Sequence, residues 1–245
     1  MTSQRLDIAM VERGLAATRA RARDAILRGR VTVAGKPAAK PSQAVDAEAA
    51  IAIDDPAAAY VSRGALKLIA ALDAFGYSPA GRACLDIGAS TGGFTQVLLE
   101  RGAASVAAID VGHGQLDPAL AADPRVTSRE GVNARDLAAA DISTPPGAIV
   151  ADVSFISLRL VLPPALALAA PDAWGVFLVK PQFEVGRDAI GKGGIVRDPA
   201  LAERVAADLA AWLASDTGWS VDGVIPSPIA GGDGNREFLI GARRG

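Results

Sequence analysis

The sequence has one cysteine and one histidine among its 245 residues, and this scarcity excludes several kinds of site. A single cysteine, Cys84, cannot form an internal disulfide, which fits a reducing compartment. His113 has no second histidine or cysteine nearby, so we expect no metal site. Aromatic residues make up 4% of the chain and none precedes Tyr60, which argues against base stacking by the N-terminal residues.

The sequence also lacks a hydrophobic run long enough to cross a bilayer. Its most apolar stretch, residues 158–170, is interrupted by Pro163 and Pro164 and is shorter than a membrane span. The first ten residues, MTSQRLDIAM, contain no apolar segment of signal-peptide length. These features predict a soluble, cytoplasmic protein without membrane association.

Positive charge is concentrated near the N-terminus. The chain as a whole has a net charge of −2, but residues 1–40 contain nine Lys or Arg and only three Asp or Glu. This segment therefore carries +6 and the remainder of the chain carries −8. A basic segment attached to an acidic body is typical of an anion-binding module, although a solvated basic face would have the same composition.

Residues 1–53 have the pattern of two short helices and a small sheet. Thr18 is suited to cap the second helix and Gly29 is suited to end it. Alternating apolar residues predict strands near residues 31–33 and 51–53.

The chain changes character after residues 54–56, so we expect a small α+β domain at residues 1–59 and a larger α/β domain at residues 60–245. In the larger domain, apolar strands alternate with helices, which predicts a doubly wound Rossmann-like fold with a mostly parallel seven-stranded sheet. The expected strands are residues 83–87, 105–110, 126–129, 148–153, 175–179, 221–225 and 237–241, and the expected helices are residues 63–75, 94–101, 157–169 and 199–214.

A glycine-rich turn follows the first strand of the larger domain. Gly88, Gly92 and Gly93 lie between that strand and a helix, where glycine lets the backbone approach a ligand and the helix N-terminus offers free N–H groups. Asp86 lies near the end of this strand and Asp110 ends the next, where an acid can bind ribose hydroxyls. The pattern indicates an adenosine-containing cofactor, with a turn shaped only by packing as the alternative. The spacing G-x-x-x-G-G differs from G-x-G-x-x-G, which disfavours NAD.

Several stretches give the chain a resemblance to a known family. VSRGALKL (61–68), LDIGASTGGFT (85–95) and ADVSFISL with LVKPQFEVG (151–186) resemble the TlyA family, also called hemolysin A. The basic run at residues 14–45 is similar to the S4 domain of that family. The resemblance implies an S4-like RNA-binding domain joined to an FtsJ-like methyltransferase domain. Such a protein would use S-adenosylmethionine to methylate the 2′-hydroxyl of cytidine in 16S and/or 23S ribosomal RNA.

The resemblance also implies a catalytic tetrad and a cofactor site. FtsJ-like enzymes use a Lys-Asp-Lys-Glu tetrad, and the matching positions are Lys67, Asp152, Lys180 and Glu237. All but Lys67 are placed at strand ends, so they should meet at the carboxyl edge of the sheet. The implied cofactor-binding residues are Asp86, Gly88, Ala89, Ser90, Thr91, Gly92, Gly93, Phe94, Asp110, Val111, Asn133 and Asp152.

Two roles are open to Lys180 in methyl transfer. Burial and the charge of Lys67 would lower the pKa of Lys180, so that the neutral amine takes the proton of the hydroxyl. Alternatively, both lysines stay charged and stabilise the developing alkoxide. In either case Asp152 and Glu237 would balance the charge and fix the lysines by hydrogen bonds. Taken singly, each of the four could instead be an ordinary surface, pairing or capping residue.

We expect basic residues near the N-terminus to contact RNA phosphates without reading bases. Arg19 and Arg23 are four residues apart and share a helix face. A glycine-rich loop at residues 186–194 could be a mobile lid, an RNA-contacting loop or a disordered connector. The cations in and beside that loop are Arg187, Lys192 and Arg197, and the expected RNA-binding residues elsewhere are Arg5, Arg19, Arg23, Arg30, Lys36, Lys40 and Arg63.

Other functions compete with RNA methylation. A ribosome-assembly factor that keeps the cofactor pocket without catalysis would be favoured by an incomplete tetrad, and this tetrad is complete. A membrane-lysing protein would need a transmembrane stretch or a strongly basic amphipathic helix, and the sequence has neither. The preferred hypothesis is a monomeric methyltransferase that acts on ribosomal RNA or on ribosomal subunits.

Overall fold

The computed structural model describes residues 3–191 and 193–245. The chain forms two compact units, Met1–Ala59 and Tyr60–Gly245. Lys192, a cation of the glycine-rich loop considered for RNA contact, lies outside the described residues.

The N-terminal unit combines two short helices with two small antiparallel sheets. Its elements are β1 (Ser3–Arg5), α1 (Leu6–Glu12), α2 (Arg19–Leu27), β2 (Val31–Val33), β3 (Lys36–Pro37), β4 (Ala44–Asp46) and β5 (Ile51–Ile53). β1 pairs with β4, and the second sheet has the order β3-β2-β5. β1 and β4 were not predicted, because their sequences, SQR and AVD, lack the alternating β-branched residues that indicate β2 and β5.

Local signals set the ends of the N-terminal helices. Thr18 Oγ1 accepts a hydrogen bond from the Arg21 backbone N–H at 3.2 Å, which satisfies one of the free donors at the start of α2. Gly29, with φ of +71°, ends the same helix in the left-handed region that favours glycine. Leu6 and Ile26 meet in the core of this unit, so both helices bury one face against the small sheets.

The C-terminal unit consists of a seven-stranded sheet covered by helices. Its elements are α3 (Ala65–Phe75), β6 (Ala83–Ile87), α4 (Gly93–Glu100), β7 (Ser105–Asp110), α5 (Pro118–Ala121), β8 (Val126–Glu130), β9 (Ala148–Ala151), α6 (Leu158–Ala167), β10 (Trp174–Val179), α7 (Pro199–Asp216), β11 (Trp219–Pro226) and β12 (Phe238–Arg244).

The strand order is β11-β12-β10-β9-β6-β7-β8, and the pairs from β10 to β8 are parallel. β12 runs antiparallel to both of its neighbours. The predicted doubly wound, mostly parallel seven-stranded sheet is therefore confirmed. β9 and β10 are buried at every residue, as expected for central strands covered on both faces.

Successive side chains of β10 enter two different core layers. Phe177 packs with Leu158 and Leu209, from α6 and α7, on one face of the sheet. Val176 packs with Leu68 and Leu98, from α3 and α4, on the other face. This period-two alternation lets a continuous apolar run fill both layers, which holds the strand ends rigidly at the sheet edge.

The reversed direction of β12 brings its first residue to the functional edge of the sheet. Phe238 pairs with Val179, the last residue of β10, so Glu237 lies beside Lys180. The expected strand at 237–241 thus begins one residue later, and Glu237 precedes its strand instead of ending it. The start of an antiparallel strand lies at the same edge of a sheet as the ends of its parallel neighbours. Asp152, Lys180 and Glu237 therefore lie at one edge although Glu237 does not belong to its strand.

Asp86 is fully buried beneath the glycine-rich turn. Its Oδ2 accepts a hydrogen bond from Thr95 Oγ1 at 2.6 Å, whereas its Oδ1 has no hydrogen-bond partner among the described residues. Burial raises the pKa of the Asp86 carboxyl to about 7, and the charges of Asp152 and Asp110 act in the same direction. The Thr95 hydrogen bond opposes this shift.

We expect the free energy of unfolding to fall as the pH rises from about 4 to about 7, because unfolding releases the Asp86 proton in this window. The loss amounts to at most about 1.4 kcal/mol per pH unit. Asp86→Asn should remove this component, so the difference between variant and wild type should grow across the window. Urea unfolding at pH 5 and pH 8 measures it. Asp73→Asn, at an exposed helix position, is the matched control, and a pH dependence unchanged in Asp86→Asn would contradict the assignment.

Candidate active site

The glycine-rich turn brings the ends of β6 and β9 into close contact. Gly88 has φ of +81°, and a Cβ atom added there would lie 2.5 Å from the carbonyl oxygen of Asp152. A side chain at this position would therefore separate the two strand ends and strain the backbone. Glycine at position 88 is thus required by a close approach of two backbones, which also leaves the turn open to a ligand.

A cleft of about 430 Å³ opens beside this turn at the carboxyl ends of β6, β7 and β9. Its volume lies in the range of small-molecule and cofactor sites. The cleft includes several of the expected cofactor-binding residues, namely Gly88, Ser90, Asp110, Val111, Asn133 and Asp152.

Asp110 connects the turn to the end of β7. Its Oδ2 accepts a hydrogen bond from the Ser90 backbone N–H at 2.8 Å, and its Oδ1 accepts one from the Gly112 N–H at 2.7 Å. Each carboxylate oxygen retains a further lone pair. The carboxylate is therefore held in one orientation in the cleft and can still accept hydrogen bonds from hydroxyl groups.

A second cavity, of about 210 Å³, continues from the first. Gly88, Ser90, Asp152 and Ser154 line both cavities. The second one adds a lysine and most of the remaining turn residues, namely Ala89, Thr91, Gly93, Phe94 and Lys180. A ligand in the first cavity would therefore lie next to the second cavity, which Lys180 lines.

Two lysines at this edge of the sheet each contact a different carboxylate. Lys180 Nζ lies 2.6 Å from Asp152 Oδ1 and donates a hydrogen bond to Ser154 Oγ at 2.8 Å. Lys67 Nζ lies 2.6 Å from Glu237 Oε2. The four expected tetrad residues are therefore two ion pairs with balanced charge, and each lysine has a fixed direction.

The two ion pairs differ in their access to the cavities. Lys180 and Asp152 line the second cavity, whereas the Lys67–Glu237 pair lines neither cavity described here and its side chains are 7% and 2% exposed. Helix α3 links the pairs, because a Cβ atom at Gly64 would lie 3.6 Å from Asp152 Oδ2 and Lys67 follows one turn later. Of the two pairs, Lys180–Asp152 is the more exposed and lines the second cavity, where a substrate can contact it.

Two of the expected cofactor-binding residues do not line either cavity. The Asp86 carboxyl is directed to Thr95 inside the core. Gly92 packs against another part of the unit, since a Cβ atom there would lie 2.4 Å from Leu120 and 2.8 Å from Leu116. Both residues support the turn from behind, so their effect on a ligand is indirect.

Phe155 was missed by the sequence reasoning although it lies at the rim of the larger cleft. It is 89% exposed and has φ of +64°, an unfavourable conformation for a bulky residue. Its ring centroid lies 5.0 Å from that of Phe183. An aromatic residue three positions after the acid Asp152 was the available signal, and backbone strain of this kind is concentrated at functional sites.

The basic residues expected to bind RNA are distributed over both units. Arg63 belongs to the C-terminal unit, where a Cβ atom at Gly232 would lie 3.7 Å from its Nη2. In the N-terminal unit, Arg5 and Arg19 contact Asp7. The remaining expected residues of that unit have exposed positions, namely Arg23, Arg30, Lys36 and Lys40.

The end of the glycine-rich loop is held by a side chain from another part of the C-terminal unit. The Asn235 side chain contacts the end of the glycine-rich loop, with Nδ2 donating to the Gly194 carbonyl and Oδ1 accepting from the Val196 N–H, both at 3.0 Å.

Within the part of the chain that the structure describes, no helix is both long enough and apolar enough to cross a membrane.

Comparison with known proteins agrees with the fold. The FtsJ-like methyltransferase family matches residues 60–244, and the S4 domain matches residues 4–51. The 16S/23S rRNA (cytidine-2′-O)-methyltransferase TlyA of Mycobacterium tuberculosis is 50% identical over 98% of this chain and 89% of its own length.

Two further relatives carry hemolysin names. Hemolysin A of Brachyspira hyodysenteriae is 40% identical over 96% of this chain and 98% of its own length. A solved structure of a hemolysin-named protein from Streptococcus thermophilus has a TM-score of 0.77 and 41% identity, and the match covers 100% of this chain and 89% of the other. Because the match to these relatives extends over nearly the whole chain, the protein belongs to the TlyA family, in which an S4 domain precedes an FtsJ-like methyltransferase domain.

Proposed function

We propose that the protein transfers a methyl group from S-adenosylmethionine to the 2′-hydroxyl of a cytidine in ribosomal RNA. The observation that carries this proposal is the Lys180–Asp152 pair, which lies where the cofactor-sized cleft opens into a second cavity. The identity to a relative named as a 16S/23S rRNA (cytidine-2′-O)-methyltransferase supports the choice of hydroxyl and nucleotide.

The residues of the larger cleft fit S-adenosylmethionine. Asp110 offers free lone pairs to a pair of ribose hydroxyls, and Gly88 leaves room for the adjacent part of the ligand. Val111 and Asn133 also line the cleft and would flank the adenine. When bound, S-adenosylmethionine supplies an electrophilic methyl group on a positively charged sulfur.

Lys180 is the residue that would act on the RNA hydroxyl. Asp152 and Ser154 hold its Nζ atom from two directions, so the amino group has a fixed position at the second cavity. A charged donor in this position can orient the hydroxyl oxygen and stabilise the alkoxide as it forms. This contact with a carboxylate supports the role of a charged anchor over that of a neutral base.

Lys67 and Glu237 would act indirectly, by supporting the strand end that carries Lys180. Their buried ion pair connects α3 with the start of β12. In the antiparallel register of β10 and β12, Glu237 lies opposite Lys180. A buried ion pair resists displacement because either partner alone would be an uncompensated charge. The pair therefore keeps the strand end that carries Lys180 in place while the RNA binds.

Phe155 would provide a surface for the target base. An exposed ring beside the methyl-transfer site can stack on a base that has left its helix, and Phe183 supports the ring from behind. Exposed cations of the N-terminal unit, together with Arg63, would contact phosphates of the RNA.

The proposal is tested with methyl-labelled S-adenosylmethionine and separated, unmodified 30S and 50S subunits. Label should enter ribosomal RNA at a cytidine ribose in one or both subunits. If neither subunit is labelled by protein that binds the cofactor, the non-catalytic assembly factor becomes the better description.

Lys180→Ala should lower the rate of methyl transfer at saturating substrate by about 100-fold or more, because it removes the donor for the developing charge. Cofactor affinity, measured by calorimetry, should change little. Arg101→Ala, which removes an exposed ion pair with Asp73, is the matched control and should retain full activity. The rate of methyl transfer by Lys180→Arg, measured as a function of pH, separates the two roles of this lysine. The variant retains activity if a charged anchor is sufficient and loses activity if a neutral base is needed.

Phe155→Ala should reduce kcat/KM for ribosomal subunits by about 10-fold, the amount expected for loss of one base–aromatic contact. Phe155→Tyr should retain activity because it keeps the ring. Leu160→Ala removes another exposed apolar side chain nearby and serves as the control. A Phe155→Leu variant as active as wild type would show that the ring itself is not required.

A further inference from the structure

Asp7 is a buried acid inside the most basic part of the chain. Its side chain is fully buried at the start of α1, among residues that otherwise form the apolar core of the N-terminal unit. A charged group in this position is costly unless it is paired. Its pairing is therefore the feature that needs a physical explanation.

Two arginines from separate elements meet at this one carboxylate. Arg5, the last residue of β1, donates from Nε to Asp7 Oδ1 at 2.9 Å and from Nη2 to Oδ2 at 3.0 Å. Arg19, the first residue of α2, donates from Nη2 to the same Oδ2 at 3.2 Å. Asp7 thus holds two like charges close together that would otherwise repel each other.

The arginines are anchored at one side and open at the other. Their side chains are 44% and 56% exposed, whereas Asp7 has no exposed surface. Each guanidinium has five N–H donors, and Asp7 engages two on Arg5 and one on Arg19. Donors therefore remain on both arginines for a ligand that approaches from solvent.

A third cation, Lys40, lies on a segment that contacts the start of α1. The Asp7 backbone N–H donates to the Pro41 carbonyl at 3.0 Å, so the segment containing the exposed Lys40 runs directly beside the start of α1. The hydrogen bond from Arg5 lowers the pKa of Asp7 to about 2, so the carboxylate stays charged at neutral pH. The surface formed by Arg5, Arg19 and Lys40 is called the arginine face below.

We propose that Asp7 is a positioning residue for RNA: it fixes Arg5 and Arg19 side by side so that together they bind neighbouring phosphates. The inference rests on the proposed RNA substrate but assigns the buried acid a role that the methyl-transfer site does not require. A free arginine loses rotamer freedom when it binds a phosphate, and an arginine already held by Asp7 has lost much of that freedom beforehand. RNA is favoured over an acidic protein partner because the unit matches an S4 domain and carries net positive charge.

Charge alone and positioning predict opposite signs for Asp7→Asn. Removing a negative charge beside two phosphate-binding arginines should strengthen binding if the arginines act as independent charges. It should weaken binding if Asp7 positions them, because the amide has one oxygen acceptor in place of the two carboxylate oxygens. Glu12→Gln, at an exposed position of the same helix, makes the same change in net charge and is the matched control.

The experiment measures binding of the full-length protein to unmodified 50S and 30S subunits, together with methyl transfer. We expect Asp7→Asn to weaken binding about three- to tenfold relative to Glu12→Gln. The KM for subunits should rise by a similar factor, with less than a twofold change in kcat. A merely structural role would not divide KM from kcat in this way. Binding by Asp7→Asn as tight as or tighter than that of Glu12→Gln overturns the proposal.

Two further variants make the outcome independent of folding. The double variant Arg5→Lys/Arg19→Lys keeps both charges and Asp7 but loses the fork geometry, so positioning predicts weaker binding and charge alone predicts no change. If thermal unfolding shows that Asp7→Asn is not folded, binding by this double variant distinguishes positioning from charge alone. Unchanged binding by Arg5→Ala/Arg19→Ala also overturns the proposal, and continued methylation of ribosomal RNA by that variant shows that the proposed function stands without the arginine face.

Discussion

The buried ion pair between Lys67 and Glu237 is the contact on which the catalytic edge depends. It joins the first helix of the C-terminal unit to the start of its last strand, residues separated by nearly the whole unit in sequence. Both side chains are almost fully removed from water, so loss of either would leave an isolated charge in the interior. The pair therefore forces α3 and β12 to meet at one place, beside the end of β10.

The other parts of the site follow from this closure and from the direction of the strands. Parallel strands β6, β7, β9 and β10 end at one edge, and the reversed β12 begins there. The turn after β6 can approach Asp152 closely because position 88 is glycine. As a result, a cofactor-sized cleft and a lysine held by a carboxylate share the edge of the sheet at which these strands end. Such sites are rigid because the strands behind them are buried on both faces.

Paired charges recur in both units, with different consequences. Lys180 is held by Asp152 at a cavity, where a directed donor can affect a reacting oxygen. Arg5 and Arg19 are held by Asp7 at the surface, where directed donors can meet phosphates. In each case a carboxylate fixes a cation that would otherwise sample many rotamers. Both arrangements reduce the entropy lost when a ligand binds.

Much of the C-terminal unit could be predicted from its sequence. The strands at residues 83–87 and 105–110 match β6 and β7 residue for residue, because apolar runs bounded by turn signals carry local information. The direction of β12, the strand that follows Glu237, was not predicted. Local sequence does not reveal whether a strand runs parallel or antiparallel to its neighbour, since that depends on pairing with β10 and β11.

The sequence by itself determined the two-unit organisation, the glycine-rich turn after β6 and the kinds of side chain present at the site, since each depends on local composition and spacing. Only the tertiary structure decided which lysine pairs with which acid and that Asp86 is directed into the core. It also decided that Phe155 is exposed at the cleft and that Asp7 gathers two arginines. These outcomes depend on side-chain directions and on contacts between residues far apart in the chain, which are set when the layers pack together.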